Sequence, residues 1–229
     1  MSTQNILCLH GALGTMEQFS GLLTRLSGDF HAFAFNFDGH GGTDPDVEFS
    51  IDRFADNAMN FIHDHCIEGC DVFGYSMGGY VALRLALENA GLVRKIVTLG
   101  TKFDWSPESA AKEISMLNPE IIEQKIPQFA NELKRRHAPA DWKKVVRQTA
   151  CLLNGLGNGK AFSNSELSSI ENDVCIAVGS KDKMVSKIES EKAASRLRNG
   201  KLIILEDQQH PIEQCDENKI IMLLNAFLK

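Results

Sequence analysis

The sequence predicts an α/β fold: a mainly parallel sheet of about six strands with helices on both faces, interrupted by a small helical insertion. Three observations lead there. Short runs rich in Ile, Val, Leu and Phe recur at residues 5–10, 31–37, 70–75, 94–99, 174–178 and 201–205, and runs this short and this apolar read as strands buried on both faces. Helical patterns at residues 19–26, 51–66, 78–89, 188–197 and 217–228 lie between or after most of them. Such alternation makes a parallel sheet covered on two sides. Gly91 is placed as the C-cap of the third of these helices. Residues 104–169 break the rhythm: they hold no strand pattern, only helical stretches punctuated by Pro107, Pro119, Pro127 and Pro139, then a glycine-rich stretch at 154–159. The expected division is a core of residues 1–103 and 170–229, with residues 104–169 as the insertion.

Composition narrows the class of function. At 229 residues and 43% hydrophobic content the chain can bury one sizeable core. A net charge of −6 argues against nucleic acid or an anionic membrane, since both reward clustered Lys and Arg. The one dense basic run, Lys134-Arg135-Arg136-His137, reads as a solvated helix face. No stretch approaches the length of a membrane-spanning helix. The first residues show neither a basic region nor a small-residue cleavage site, so a cytoplasmic protein is expected. Cys8, Cys151 and Cys175 lie in or beside apolar runs, where a thiol acts as a small hydrophobe. Cys66 and Cys70 find no second pair to complete a zinc site. Reduced thiols are expected for all six cysteines, the other being Cys215.

The strongest chemical signal is Gly74-Tyr75-Ser76-Met77-Gly78-Gly79, between an apolar strand and a long Ala/Leu helix. A serine on such a sharp strand-to-helix turn projects its hydroxyl beyond the sheet edge. The flanking glycines are required where a Cβ would strike the neighbouring strand or helix. Serine alone is a poor nucleophile, so this geometry is useful only with a base in reach. Acyl transfer also needs donors aimed at the developing oxyanion, each worth roughly 3–4 kcal/mol. The Met77 amide is one candidate. The turn His10-Gly11-Ala12-Leu13-Gly14, at the end of the first strand, supplies the other: the Ala12 amide, with Leu13 as the fallback. His10 is expected to bond locally and hold that loop.

Three motifs in order, His10-Gly11, Gly39-His40-Gly41-Gly42-Thr43 and Gly74-Tyr75-Ser76-Met77-Gly78-Gly79, resemble the signature of the α/β-hydrolase superfamily. More narrowly, they are similar to its small esterase, haloperoxidase-like and menaquinone-pathway (MenH-like) members. The chain departs from relatives at Asn36, where many carry aspartate and where this chain has Asp38 beside the glycine instead. It departs again at Ala12, a small residue that leaves room at the acyl side. The resemblance implies a minimal six-stranded sheet and the chain order Ser, acid, His. His210, just past the last strand, is then the base. Asp182, in the turn Gly179-Ser180-Lys181-Asp182, is the favoured acid, and Asp104 is the alternative. A buried carboxylate there would hold the imidazole tautomer and stabilise the imidazolium.

The insertion then becomes a cap over the pocket. Leu13, Phe103, Trp105, Phe129 and Trp142 are the candidate pocket residues. The expected activity is hydrolysis of a small-molecule carboxylic ester or thioester through an acyl-enzyme, by a monomer or homodimer needing no metal or organic cofactor. Three other readings stay open, one of them halide-assisted perhydrolysis, which an ordinary esterase can show as a side reaction. The same triad could serve a C–C hydrolase or a MenH-like lyase, in which case arginines such as Arg135, Arg136 and Arg147 would line the pocket. Alternatively, the chain could be a non-catalytic binding protein on a hydrolase scaffold.

Overall fold

The computed structural model describes residues 4–229. In chain order the core begins with β1 (Gln4–Leu9), α1 (Ser20–Leu26), β2 (Phe30–Ala34), α2 (Ile51–Asp64), β3 (Cys70–Tyr75), α3 (Met77–Glu88) and β4 (Val93–Leu99). The insertion follows as α4 (Pro107–Ile114), α5 (Pro119–Lys125), α6 (Pro127–His137), α7 (Trp142–Gly155) and α8 (Asn164–Ser169). The core then resumes with β5 (Asp173–Gly179), α9 (Lys187–Arg196), β6 (Asn199–Leu205) and α10 (Glu217–Leu228). The six strands form one sheet in the order β2-β1-β3-β4-β5-β6, every pair parallel.

Alternation along the strands sorts the core into two layers. Leu7, Leu9, Val72, Ile96 and Ile176 join the cluster under α2, α3, α9 and the insertion. Ile6, Cys8, Phe73, Val97 and Cys175 pack on the other face with Leu22 and Leu26 of α1 and Leu223 and Leu224 of α10. A period of two along each strand is the reason for this division.

The chain leaves β1 toward β2 on one side and returns to β3 on the other. Such a switch point opens a crevice at the carboxyl ends of β1 and β3, where parallel sheets hold their ligands. Pro107, Pro119 and Pro127 each open a helix of the insertion, a position where the missing N–H is harmless and the fixed φ is already helical.

Three local expectations are corrected. β2 ends at Ala34, not Phe37. Beyond it, the Asn36 side chain accepts from the Met16 amide at 2.8 Å and His10 accepts from the Phe37 amide at 3.2 Å, so side chains take over from the strand ladder. α3 stops at Glu88, closed by the Asn89 amide on the Leu85 carbonyl, and Gly91 does not take the left-handed conformation of a C-cap. Cys151 is exposed on α7 rather than a core thiol, while Cys8, Cys70 and Cys175 are buried.

One close approach fixes how α3 sits on the sheet. Gly78, in its first turn, lies so near the end of β1 that a Cβ would overlap the Leu9 and His10 carbonyls. Those atoms are backbone and cannot swing aside. Gly78→Ala is therefore expected to destabilise the protein by about 3 kcal/mol, measured as a lower urea midpoint with an unchanged slope.

Candidate active site

Ser76 closes the turn between β3 and α3 with φ 52° and ψ −117°, a left-handed backbone that costs about 1–3 kcal/mol and persists only where its surroundings over-determine it. Here they do. The Ser76 amide donates to the Leu99 carbonyl at 2.8 Å. The Ser76 carbonyl accepts from the Thr101 hydroxyl at 2.9 Å and from the Gly79 amide at 3.1 Å.

The Ser76 hydroxyl is 3.3 Å from His210 Nε2, and His210 Nδ1 is 2.9 Å from Asp182 Oδ2. The other carboxylate oxygen of Asp182 accepts from the Met184 and Val185 amides at 2.8 and 2.9 Å. With Oδ1 so engaged, Oδ2 accepts a hydrogen bond from Nδ1–H, which leaves Nε2 as the acceptor facing the serine. Both partners are withdrawn from solvent, with side-chain exposures of 10% for His210 and 1% for Asp182, so little water competes for the pair. Two loops hold it. The Lys181 amide donates to the Gln208 carbonyl at 2.9 Å, and the Asp207 amide donates to the Ser180 hydroxyl at 2.8 Å. Tyr75, whose phenol burial pushes up and keeps protonated, donates to the His210 carbonyl at 3.0 Å. Asp104, the alternative acid, lies on a separate depression beside Glu189 and Lys192.

A cavity of about 550 Å³, including its open mouth, lies against Ser76 and His210. Ala12 and Met77 are in its wall. Met77 is the first residue of α3, so its amide is one of those that a helix start leaves without an intrahelical acceptor. Of the five side chains expected at the pocket, Trp105 is in the wall. The other four lie elsewhere. Leu13 is buried in the core cluster, and Phe103 packs near Tyr80 with ring centroids 6.0 Å apart. Phe129 is exposed on α6, and Trp142 is core at the start of α7. Leu13, Phe103 and Trp142 pack in or against the core cluster rather than on the cavity.

The rest of the wall includes Ile51, Tyr80, Lys102, Glu113, Leu152 and Leu156, none of which the sequence singled out. Lys102 follows the carboxyl end of β4, a position that does signal a site. Glu113 gives no such signal, because a glutamate in an amphipathic helix is expected to face water. Among the described residues no three His, Cys, Asp or Glu side chains gather as metal ligands would, and no helix is long and apolar enough to cross a membrane.

The basic run 134–137 is only partly a solvated face. Arg135 is exposed, but the Arg136 side chain is 12% exposed and His137 is fully buried. Arg136 Nη1 and His137 Nε2 both reach the Leu13 carbonyl at 3.2 Å, and Leu13 carries φ 59°. His137 Nδ1 accepts from the Gly41 amide at 3.2 Å, which makes Nε2 the donor. The insertion thus clamps the loop that carries Ala12.

His10 holds the same loop from below, bonding the Gly11 carbonyl at 2.9 Å and accepting from the Phe37 amide. His40 lies between them, its ring centroid 5.0 Å from His10 and 5.7 Å from His137. Burial lowers all three pKa values, to about 3 for His10, to about 4 for His137 and well below the usual range for His40.

The Alpha/beta hydrolase family model matches residues 6–217. The chain belongs to this family. It is similar to the (E)-2-((N-methylformamido)methylene)succinate hydrolase of Acinetobacter baylyi, 20% identical over 98% of this chain and 90% of the relative. Among solved structures it resembles E-2-(acetamidomethylene)succinate hydrolase, with a TM-score of 0.80 at 18% identity over 99% and 92% of the two chains. It also resembles a malate-bound thermophilic esterase from Thermogutta terrifontis, with a TM-score of 0.77 at 17% identity over 99% and 90%. At such identities the structural likeness speaks to fold alone.

The three buried imidazoles set an acid limit. Each is neutral when folded and would regain a pKa near 6.5 on unfolding, so protons favour the unfolded chain as pH falls below that value. The urea midpoint is expected to drop steadily between about pH 6.5 and pH 4. It should fall less steeply in His137→Gln, which removes one of the three groups.

Proposed function

We propose that the protein is a serine hydrolase that cleaves a carboxylic ester or thioester through an acyl-enzyme. The observation that carries this reading is the chain of contacts from the Ser76 hydroxyl through His210 to Asp182, 3.3 and 2.9 Å long. Ser76 Oγ attacks the carbonyl carbon and passes its proton to His210 Nε2. The negative charge that develops on the carbonyl oxygen is held by the Ala12 and Met77 amides. Collapse expels the alcohol or thiol, which takes the proton from His210, and a water deprotonated by the same imidazole then releases the acid. Asp182 fixes the imidazole tautomer and stabilises its charged form.

Residues 104–169 act as a cap on a core formed by the rest of the chain. In support, Trp105, Glu113, Leu152, Leu153 and Leu156 from the insertion share one cavity wall with Ser76, Met77 and His210. The wall is largely apolar, which suits a fairly apolar acyl group.

Elimination from a dianion, or C–C cleavage, would use the same three side chains. The arginines such a substrate calls for are engaged elsewhere. Arg135 pairs with Glu17 and Glu132, Arg136 with Glu132 and Glu213, and Arg147 with Glu120. Their placement favours the ester.

Ser76→Ala is expected to lower kcat on a p-nitrophenyl ester by at least about 10³-fold, and to abolish labelling by a fluorophosphonate. Asp182→Asn keeps the fold but leaves the wrong imidazole tautomer, and should lower kcat by about 10⁴-fold. A Ser76→Ala protein with more than a few per cent of the parent rate, or a parent that the probe does not label, refutes the reading.

A further inference from the structure

The cavity holds two charged side chains that the hydrolytic reading does not use. Lys102 leaves the end of β4 and Glu113 projects from α4, and both stand in the wall that contains Ser76 and His210. The other polar groups of that wall are engaged. Ser76 bonds His210, Thr101 donates to the Ser76 carbonyl, and the Tyr80 hydroxyl accepts from the Phe162 amide. Lys102 Nζ and Glu113 Oε1 are 3.7 Å apart, attracted as charges but beyond hydrogen-bond distance. Their side chains are 19% and 11% exposed. The ammonium also lies 5.7 Å from the centre of the Trp105 ring, which is anchored by its own N–H on the Lys102 carbonyl.

A pair so withdrawn from water, and so loosely joined, is a poor source of stability, because desolvation offsets the attraction. Its value lies in what it offers a ligand. We propose that Lys102 and Glu113 form a recognition subsite for an uncharged group that both donates and accepts a hydrogen bond, a hydroxyl or a carboxamide on the acyl chain. This rests on the hydrolytic reading of Ser76 and His210.

Three alternatives fail on charge or on hydrogen bonding. A carboxylate would be repelled by Glu113 as it approached Lys102, and an ammonium would meet the reverse. A plain alkyl chain would strip water from both groups and return nothing to either. A single oxygen at about 2.8 Å from each bridges the gap, accepting from the ammonium and donating to the carboxylate with no net charge brought in. Sites that bond a substrate hydroxyl or amide discriminate strongly against analogues that lack it.

The test compares kcat/KM on matched p-nitrophenyl esters: hexanoate, 6-hydroxyhexanoate, the monoamide of adipate and its free half-acid, with their shorter homologues. The hydroxyl or carboxamide ester should exceed the matched alkyl ester by at least about tenfold at one chain length. The double variant Lys102→Met/Glu113→Leu should reverse that order while its Tm stays level or rises, an outcome a merely structural pair would not produce. Glu113→Gln, which unmasks the lysine charge and keeps the size, should move the preference toward the half-acid and covers the case of a double variant that does not fold. A parent that prefers the alkyl or half-acid ester, or variants that leave the order unmoved, overturns the subsite. A parent inert on every ester and unlabelled by fluorophosphonate removes the hydrolytic reading and the subsite together.

Discussion

The constraint on which the rest depends is the left-handed backbone at Ser76. A residue with a Cβ resists that conformation, and the cost is met by the sheet. β4 supplies the Leu99 carbonyl that takes the Ser76 amide, Thr101 just beyond it secures the Ser76 carbonyl, and Gly74 and Gly78 let strand and helix approach without a side chain between them. A hydroxyl on so over-determined a turn needs little reorganisation to meet an imidazole. That pre-organisation separates a reactive serine from an ordinary one.

The insertion does more than contribute side chains to the cavity wall. Through Arg136 and His137 it grips the Leu13 carbonyl, the residue next to Ala12, and through His137 it reaches the Gly41 amide of the second loop. His10 and His40 lie beneath the same two loops, neutral and buried. Side chains from the insertion and the core thus settle one short turn, and the network works only while its imidazoles remain unprotonated. His40 Nε2 is buried without a partner among the described residues, the one ring nitrogen of the three imidazoles left unsatisfied.

Much of this architecture was legible in the order of residues. Apolar runs became strands because a parallel strand is buried on both faces; of the prolines that punctuate the insertion, Pro107, Pro119 and Pro127 stand at helix starts, where the first turn has no use for their missing amide. Misreadings arose where a side chain replaced the backbone as a bonding partner. Asn36 and His10 end β2 three residues early, and Asn89 closes α3 before Gly91. No period or motif reports such substitutions.

The sequence by itself determined the fold class, the turn that holds Ser76, and the choice of His210 and Asp182 as the groups to look for near it. Glycine spacing and strand-end position are local chemistry, whereas the chain order that picks out His210 and Asp182 comes from the family resemblance. Which side chains face the cavity was decided only by the tertiary structure. Trp105 lines it while Phe129 and Trp142 do not, and Lys102 and Glu113 meet there from separate elements. Packing between helices assigns those faces, because a bulky or charged residue near the end of the chain's local code can turn either way until a neighbour from a distant segment occupies one side.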